Sequence, residues 1–255
     1  MAPNLHIATH NIHKGFSQFN RRMVVHELRD RLRALDADIV FLQEVQGRHA
    51  GHAEEIHAWP DEPQHEFLAA DVWGNTAYGR NMVYEHGHHG NAILSRFPII
   101  ASHNQDVTHL RFERRGMLHC AIEVPGLDAP LHCVCVHLSL FGRSRRRQLE
   151  ALASRLESIV PARAPLIIAG DFNDPRNRAH DLLADRLDLT EVFAGMAGRP
   201  PRSFPSTLPL LRLDRIYSRG FDVRHASVHF GRPWSMISDH AALSAHLAPR
   251  GAARR

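Results

Sequence analysis

Residues 166–174 read LIIAGDFND, an apolar run that stops on Asp171, Asn173 and Asp174. Asp and Asn bond nearby backbone and open turns readily, and a turn is the role expected for Asp174. Other apolar runs end in the same way. ADIVFLQE (37–44) stops on Gln43 and Glu44, and LHIATHNIH (5–13) carries Asn11 and His13. LHCVCVHLSL (131–140) holds His137, RLDRIY holds Asp214, and SDHAAL sets Asp239 beside His240. Carboxylates with amides and waters suit a hard divalent ion such as Mg2+ or Mn2+, which keeps several waters and binds substrate phosphate. Glu44 is the leading ligand candidate, with Asn11 and Asp239 beside it. A histidine oriented by a carboxylate is a general base suited to neutral pH, and this gives His240 and Asp214 their candidate roles. Asp214 sits between hydrophobic residues, where an unpaired charge is costly; a surface pair with Arg212 or Arg215 is the competing account. His137 alone reads as a core histidine. Two histidines, an amide pair and four acids together describe attack on a phosphate ester by activated water.

Delivering these groups to one place requires strands that end together. Val24, Val25, Leu28, Leu32 and Leu35 recur at helical spacing within 21–36, as do Leu149, Leu152, Leu156 and Ile159 within 145–160. Each helix lies between two apolar runs, and each half closes with two further strands. Those are NAILSRFPII and MLHCAIEV in the first half, RLDRIYSRGFDV and SDHAALSAHL in the second, with a Ser-Arg shared by AILSRFPI and RIYSRGFDV. The repeated order predicts two similar sheets packed face to face with helices outside, and the polar strand ends meeting at one edge. No linker separates the halves. Stretches at 58–66, 125–130 and 198–209 read as surface loops of one domain spanning 1–248, followed by a disordered Arg-rich tail over 249–255. Residues 46–80 form the long connection least specified by pattern, and such loops often line sites. EHGHHG (85–90) reads as an ordinary loop, since it lacks zinc-site spacing.

Composition excludes several classes. At 44% hydrophobic and 23% charged, the 255 residues are ordinary for a water-soluble globular chain. No secretory signal and no membrane-length apolar run is present, so the expectation is a cytoplasmic protein without a transmembrane segment. Cys120, Cys133 and Cys135 are expected as buried free thiols of a reducing compartment. The formal charge of +4 owes three units to the tail arginines, which makes the overall basicity a weak pointer to nucleic acid.

THNIHKG, FLQEV, GNAILSRFPI, CVHLSL, IIAGDFND, RLDRIYS and SDHAAL occur in this order across residues 9–243. As an ordered set they closely resemble the endonuclease/exonuclease/phosphatase superfamily, in particular its short bacterial members. The resemblance implies a DNase I-like four-layer α/β sandwich, two packed mixed β-sheets flanked by helices, and Mg2+-dependent phosphoester cleavage. It also implies that Asn11 and Glu44 are metal-site residues, with Asp239 near the metal. By the same resemblance, Asp171 and Asn173 orient the attacking water and stabilise the phosphoryl group. His240 and Asp214 form the His–Asp pair, and His137 is a second phosphate-facing histidine. Asn91 and Arg115 occupy recurrent site-edge positions and, with His13, are read as substrate- or phosphate-binding. One departure stands out: many nucleases of the superfamily carry an acid two residues after the first motif's Asn, where this chain has His13. A histidine there can still hydrogen-bond phosphate.

The superfamily includes nucleases, lipid phosphodiesterases and phosphatases, so the fold does not choose the substrate. Arg143, Arg145, Arg146 and Arg147 after the His137 strand favour a nucleic-acid backbone, or form a solvated helix face. Trp59, Phe67, Trp73 and Tyr78 favour a lipid or small phosphodiester, or pack under a long loop. The reading is a metal-dependent phosphodiesterase with no obligate protein partner. A nuclease, or a phosphate-binding module without turnover, is the alternative.

Overall fold

Val25, Leu28 and Leu32 recur on one side of a turn-by-turn pattern, and all three are fully buried in the computed structural model. The structure describes residues 4–18, 21–49, 51, 56 and 58–250. The predicted helices are α1 (Val25–Leu35) and α3 (Gly142–Ile159), with Val24 preceding the first turn of α1. Between them in sequence lies a short α2 (Gln64–Ala69); α4 (Arg178–Leu187) and α5 (Val192–Ala197) follow.

Twelve strands form two six-stranded sheets among the described residues. The first sheet contains β1 (Leu5–Asn11), β2 (Ile39–His49), β3 (Asn75–Tyr84) and β4 (Gly87–Ser95), together with β11 (Phe221–His229) and β12 (Ala242–Pro249). The second contains β5 (Ile99–Asp106), β6 (Gly116–Ile122), β7 (Leu131–His137) and β8 (Leu166–Asp171), with β9 (Thr190–Glu191) and β10 (Asp214–Arg219). Their orders are β11-β12-β1-β2-β4-β3 and β5-β6-β7-β8-β10-β9. The two central pairs, β1 with β2 and β7 with β8, run parallel, as a helical crossover requires; the remaining pairs are antiparallel.

Ile7, Phe41, Ile93, Ile167 and Leu243 fill the space between the sheets, along with Cys120, Cys133 and Cys135. The three thiols are free and buried, and burial raises their pKa. Leu149, Leu152 and Leu156 of α3 cover the outer face of the second sheet, and Leu28 and Leu32 of α1 cover the first. The result is the expected four-layer sandwich. Burying that much apolar surface at ~25 cal/mol per Å2 is the main force holding the sheets together.

The halves do not each build a sheet. The last two strands of each half cross into the sheet of the other, and the crossings fall at the shared Ser-Arg. NAILSRFPII is therefore two strands rather than one: β4 ends at Ser95, and β5 begins at Ile99 in the opposite sheet. RLDRIYSRGFDV splits likewise at Ser218-Arg219, with Gly220 at φ 86 making the turn. Four other readings change. The strand through 37–44 does not stop at Glu44 but runs to His49, interrupted by a bulge in which Glu44 takes φ 56. EHGHHG is not a loop throughout, since β4 starts at Gly87 and includes His88 and His89. The 46–80 connection holds α2 and the start of β3, and Trp59, Phe67 and Trp73 are buried under it while Tyr78 is partly buried. The final strand takes in Pro249, and Arg250 pairs with Asp222 at 2.9 Å, beyond the expected boundary. Residues 251–255 of the expected tail lie outside the described residues.

Candidate active site

β8 pairs with β7 on one side and β10 on the other, in a register that sets Asp171 opposite both His137 and Asp214. The approach of β7 depends on Gly170, where a Cβ would lie 2.0 Å from Val136 O. This is the physical reason for the glycine in GDFN. Asp171 Oδ2 is the hub of the site: Asn11 Nδ2 donates to it at 3.2 Å, His137 Nε2 lies at 3.4 Å and His240 Nε2 at 3.8 Å. Its other oxygen accepts the Asn173 backbone N–H at 2.8 Å. Asn173 has φ 49 and donates its side-chain amide to Leu138 O at 3.0 Å, leaving one N–H for a ligand.

His240 Nδ1 is 2.9 Å from Asp214 Oδ2, so Asp214 is paired with histidine and not with a surface arginine. Arg215, fully buried, donates to the Asp214 and Asp174 carbonyls. Burial disfavours a charged imidazole, but Asp214 and Asp171 outweigh it and push His240 up to about 10. The two carboxylates beside the ring thus favour its protonated form. Burial and the Asp214 charge push Asp171 up to about 6, with His240 pulling the other way. A carboxylate shifted towards neutral pH can accept a proton there, and Asp171 is so shifted. Burial, then Arg115 and His240, hold His137 well below its ordinary range, leaving it neutral.

The remaining candidates fall into two groups. Asn11 Nδ2 also reaches Glu44 Oε1 at 3.5 Å, and its Oδ1 accepts His13 N at 3.1 Å. His13 Nδ1 lies 3.7 Å from Asp239 Oδ1, so His13, Asp239, Asn11 and Glu44 form a connected rim. Arg115 donates to Leu138 O at 3.3 Å and to Glu113 at 3.2 Å, and shares an open cavity with Glu44. Asn91 behaves differently. Its amide donates to Gly116 O at 3.0 Å and Cys135 O at 3.2 Å, so both donors are used in tying the two sheets together. Asn91 therefore has no N–H for a phosphate, contrary to its expected place among the phosphate-binding residues.

A divalent cation fits two different donor sets. Asp171, Asp214 and His240 offer ligand atoms within 4.8 Å of one another. The carboxylates flanking His240, however, favour its protonated form, which has no lone pair to give. Glu44 fits better. It is partly exposed, and among the described residues its carboxylate accepts one hydrogen bond, the long contact from Asn11. Its carboxylate oxygens, beside Asn11, are the kind of donor that a hard ion takes.

Several contributors had no sequence signal. Lys14 and His89 line the cavity with Glu44, and burial, with Lys14 opposing the charge, holds His89 down to about 4. Gln64, fully buried, accepts Gln46 N at 2.9 Å and donates to Lys14 O at 2.9 Å, bracing the site loop from α2. Ser238 Oγ donates to Asn11 O at 2.7 Å and accepts His240 N at 3.1 Å, joining the first and last motifs. Asp174 does more than turn the chain: it accepts Ala179 N at 2.7 Å and lies 3.7 Å from Arg145.

Comparison with known proteins agrees with this fold. Residues 8–240 match the model of the Endonuclease/Exonuclease/phosphatase family. The chain is 46% identical over 241 residues to Escherichia coli K12 "Uncharacterized protein YbhP", covering 94% of this chain and 95% of that protein. Among solved structures, an endonuclease/exonuclease/phosphatase from Beutenbergia cavernae superposes with TM-score 0.76 at 22% identity, covering 98% of this chain and 72% of that one. The human Nocturnin catalytic domain with bound sulfate superposes with TM-score 0.72 at 20% identity, covering 97% and 94%.

Proposed function

The chain belongs to the endonuclease/exonuclease/phosphatase family, whose members cleave phosphoesters, and on that premise we propose that it is a divalent-metal-dependent phosphodiesterase. The observation that carries the reading is the Asp171 hub, with one carboxylate oxygen facing Asn11, His137 and His240 while Asp214 holds His240 charged. Asp171 takes the proton of the attacking water. The His240 N–H donates to the phosphoryl or leaving oxygen as charge develops there, a role worth several kcal/mol in a water-poor site. Neutral His137 and the free Asn173 N–H orient the phosphoryl oxygens, and Arg115 stands at the edge of the site. Mg2+ or Mn2+, held by Glu44, Asn11 and Asp239, would polarise the phosphoryl group and neutralise its charge. His13, where many nucleases of the superfamily have an acid, adds a nitrogen in place of a carboxylate, which favours one ion over two.

No helix among the described residues is long and apolar enough to cross a membrane, and the buried thiols support a reducing, cytoplasmic setting. The test is hydrolysis of bis-p-nitrophenyl phosphate beside p-nitrophenyl phosphate, each with EDTA, Mg2+ or Mn2+, by the wild type and His240→Ala. Metal-dependent turnover of the diester, lost in the variant, is expected. Preference for the monoester would make the protein a phosphatase. Absence of both activities would favour a phosphate-binding module.

A further inference from the structure

Large hydrophobic side chains on a protein surface are unremarkable when scattered. Here they are not scattered. Eight of the eleven exposed large hydrophobics among the described residues lie on four loops around the candidate active site. Phe112, Leu140 and Phe141 stand on one rim, Phe112 and Phe141 in edge-to-face contact at 6.0 Å, and all three line the ~450 Å3 cavity that contains Glu44 and Arg115. Leu208, Leu210 and Leu211 stand on the other, with Phe230 and Met236. This second rim is fastened to the site: Ser206 N donates to Asp239 O at 2.7 Å, Gly231 N donates to Ser206 O at 2.8 Å, and Phe204 packs on the His240 ring at 5.0 Å.

The same loops are strongly polarised in charge. Segments 107–115, 138–148, 199–212 and 229–241 hold eleven arginines and two acids, Glu113 and Asp239. Glu113 is buried and engaged by Arg115, Ser139 and Leu140. Arg111, Arg114, Arg143, Arg202 and Arg232 are exposed beside the apolar side chains. An apolar and cationic surface with almost no acid matches an anionic lipid surface, whose headgroups pair with arginine while its acyl boundary accepts Phe and Leu. A second copy of the chain would set arginine against arginine. A nucleic-acid strand would use the arginines but leave the leucines uncovered.

We propose that the mouth of the active site is a membrane-docking surface, with both rims entering the headgroup layer of an anionic bilayer, and that the substrate is a phosphodiester of an amphiphile. The substrate half of this inference rests on the phosphodiesterase reading; the docking half does not. A phospholipid headgroup then reaches Glu44 and Asp171 without leaving the bilayer, because the rims that dock are the walls of the site.

The experiment is co-sedimentation of the full chain with vesicles of phosphatidylcholine alone or with about 30 mol% phosphatidylglycerol, at near-physiological salt. Two triple variants accompany it: Phe112→Ser/Leu140→Ser/Phe141→Ser and Leu208→Ser/Leu210→Ser/Leu211→Ser. Each is checked for native circular dichroism and for turnover of bis-p-nitrophenyl phosphate. The expected result is binding to anionic vesicles only, weakened at least about tenfold in each variant. If a variant fails to fold, the single changes Phe112→Ser and Leu208→Ser replace it, each expected to weaken binding severalfold. Wild type that stays in the supernatant, or variants that sediment like wild type, would overturn the docking surface. Tight, salt-sensitive binding of a single-stranded oligonucleotide without vesicle binding would do the same and assign the arginines to nucleic acid. Vesicle binding in a protein that turns over neither soluble ester would sink the phosphodiesterase reading while the docking surface stands.

Discussion

Replacing Gly170 by alanine tests how the site is held together. The added Cβ would lie 2.0 Å from Val136 O, where carbon and oxygen normally approach no closer than about 3.3 Å. The obstructing atom is backbone in the neighbouring strand, so no side chain can swing away; β7 and β8 must separate by about 1 Å. Gly170 also has φ 146, which an L-residue adopts only with strain. Backbone strain of about 1–3 kcal/mol and overpacking of similar size give a loss of about 2–6 kcal/mol. With a urea m-value of about 3 kcal/mol per M, the unfolding midpoint falls by about 1–2 M. Gly198→Ala is the control, because Gly198 has φ 71 but nothing within 4 Å of its would-be Cβ. It should cost only about 1 kcal/mol, from the backbone conformation alone. Since β7 and β8 carry His137 and Asp171, a shift of about 1 Å should also lower diester turnover about 100-fold in whatever protein remains folded. Equal midpoint shifts in the two variants, or an unshifted Gly170→Ala, would refute the close-approach argument.

Three further outcomes are expected. Asp214→Asn removes the anion 2.9 Å from His240, so the imidazole should titrate well below its present value of about 10 by NMR, with turnover down about 100- to 10,000-fold; an unmoved titration would remove Asp214 from its role. Asn91→Ala strands two buried carbonyls and should cost about 2–5 kcal/mol in urea unfolding with KM unchanged, whereas a raised KM at full stability would return Asn91 to phosphate binding. His10 is buried, and burial holds it down from 6.5 to about 4, so below pH 6.5 the unfolded chain binds a proton that the folded chain refuses. Stability therefore falls as pH drops through that window, by about 2 kcal/mol from this group at pH 5, and His10→Gln should flatten the fall in the urea midpoint between pH 7 and pH 5.

What could be read from the sequence follows from what each signal reports. Apolar periodicity located α1, α3 and the central strands because these bury a whole face, as at Leu28 and Leu152. The ordered motifs located the candidate site because polar Asp171, Asp214 and His240 interrupt apolar runs and are brought together there. Periodicity could not reveal that one apolar run changes sheets at Ser95-Arg96, since both parts bury their side chains in the same inter-sheet layer. Nor could it show that Glu44 is a bulge, because a positive φ at a non-glycine leaves no mark in residue type. The surroundings of Asn91 and His240 were not legible for one reason: which partners occupy a donor, and which charges surround a ring, depends on residues distant in the chain. Gly116 and Cys135 decide the first, Asp171 and Asp214 the second.

The strand exchange between halves gives the site an internal logic. Asn11 closes β1 and His137 closes β7, each beside the parallel strand of its own half. Continuing the antiparallel registers sets Gly116 opposite His137 and Ala241 opposite Asn11, so Arg115 and His240 occupy equivalent places just before β6 and β12. Asn91 on β4 and Asp214 on β10 are likewise equivalent, each on the strand beyond the central pair. The two members of this set differ in what they hold: Asn91 clamps the sheets while Asp214 pairs with His240. Because each half gives its last two strands to the opposite sheet, the cation of each set is delivered by the half that does not supply the strands it faces. The catalytic groups can therefore meet only after both sheets have formed and packed. A halved chain should accordingly close neither sheet: fragments 1–127 and 128–255, expressed separately, should fail to protect Cys120 and Cys135, respectively, from thiol reagents, and should recover protection only when mixed and refolded together. Protection of Cys135 in the second fragment alone would mean that its sheet closes without the strands it borrows, and the argument from exchange would fall.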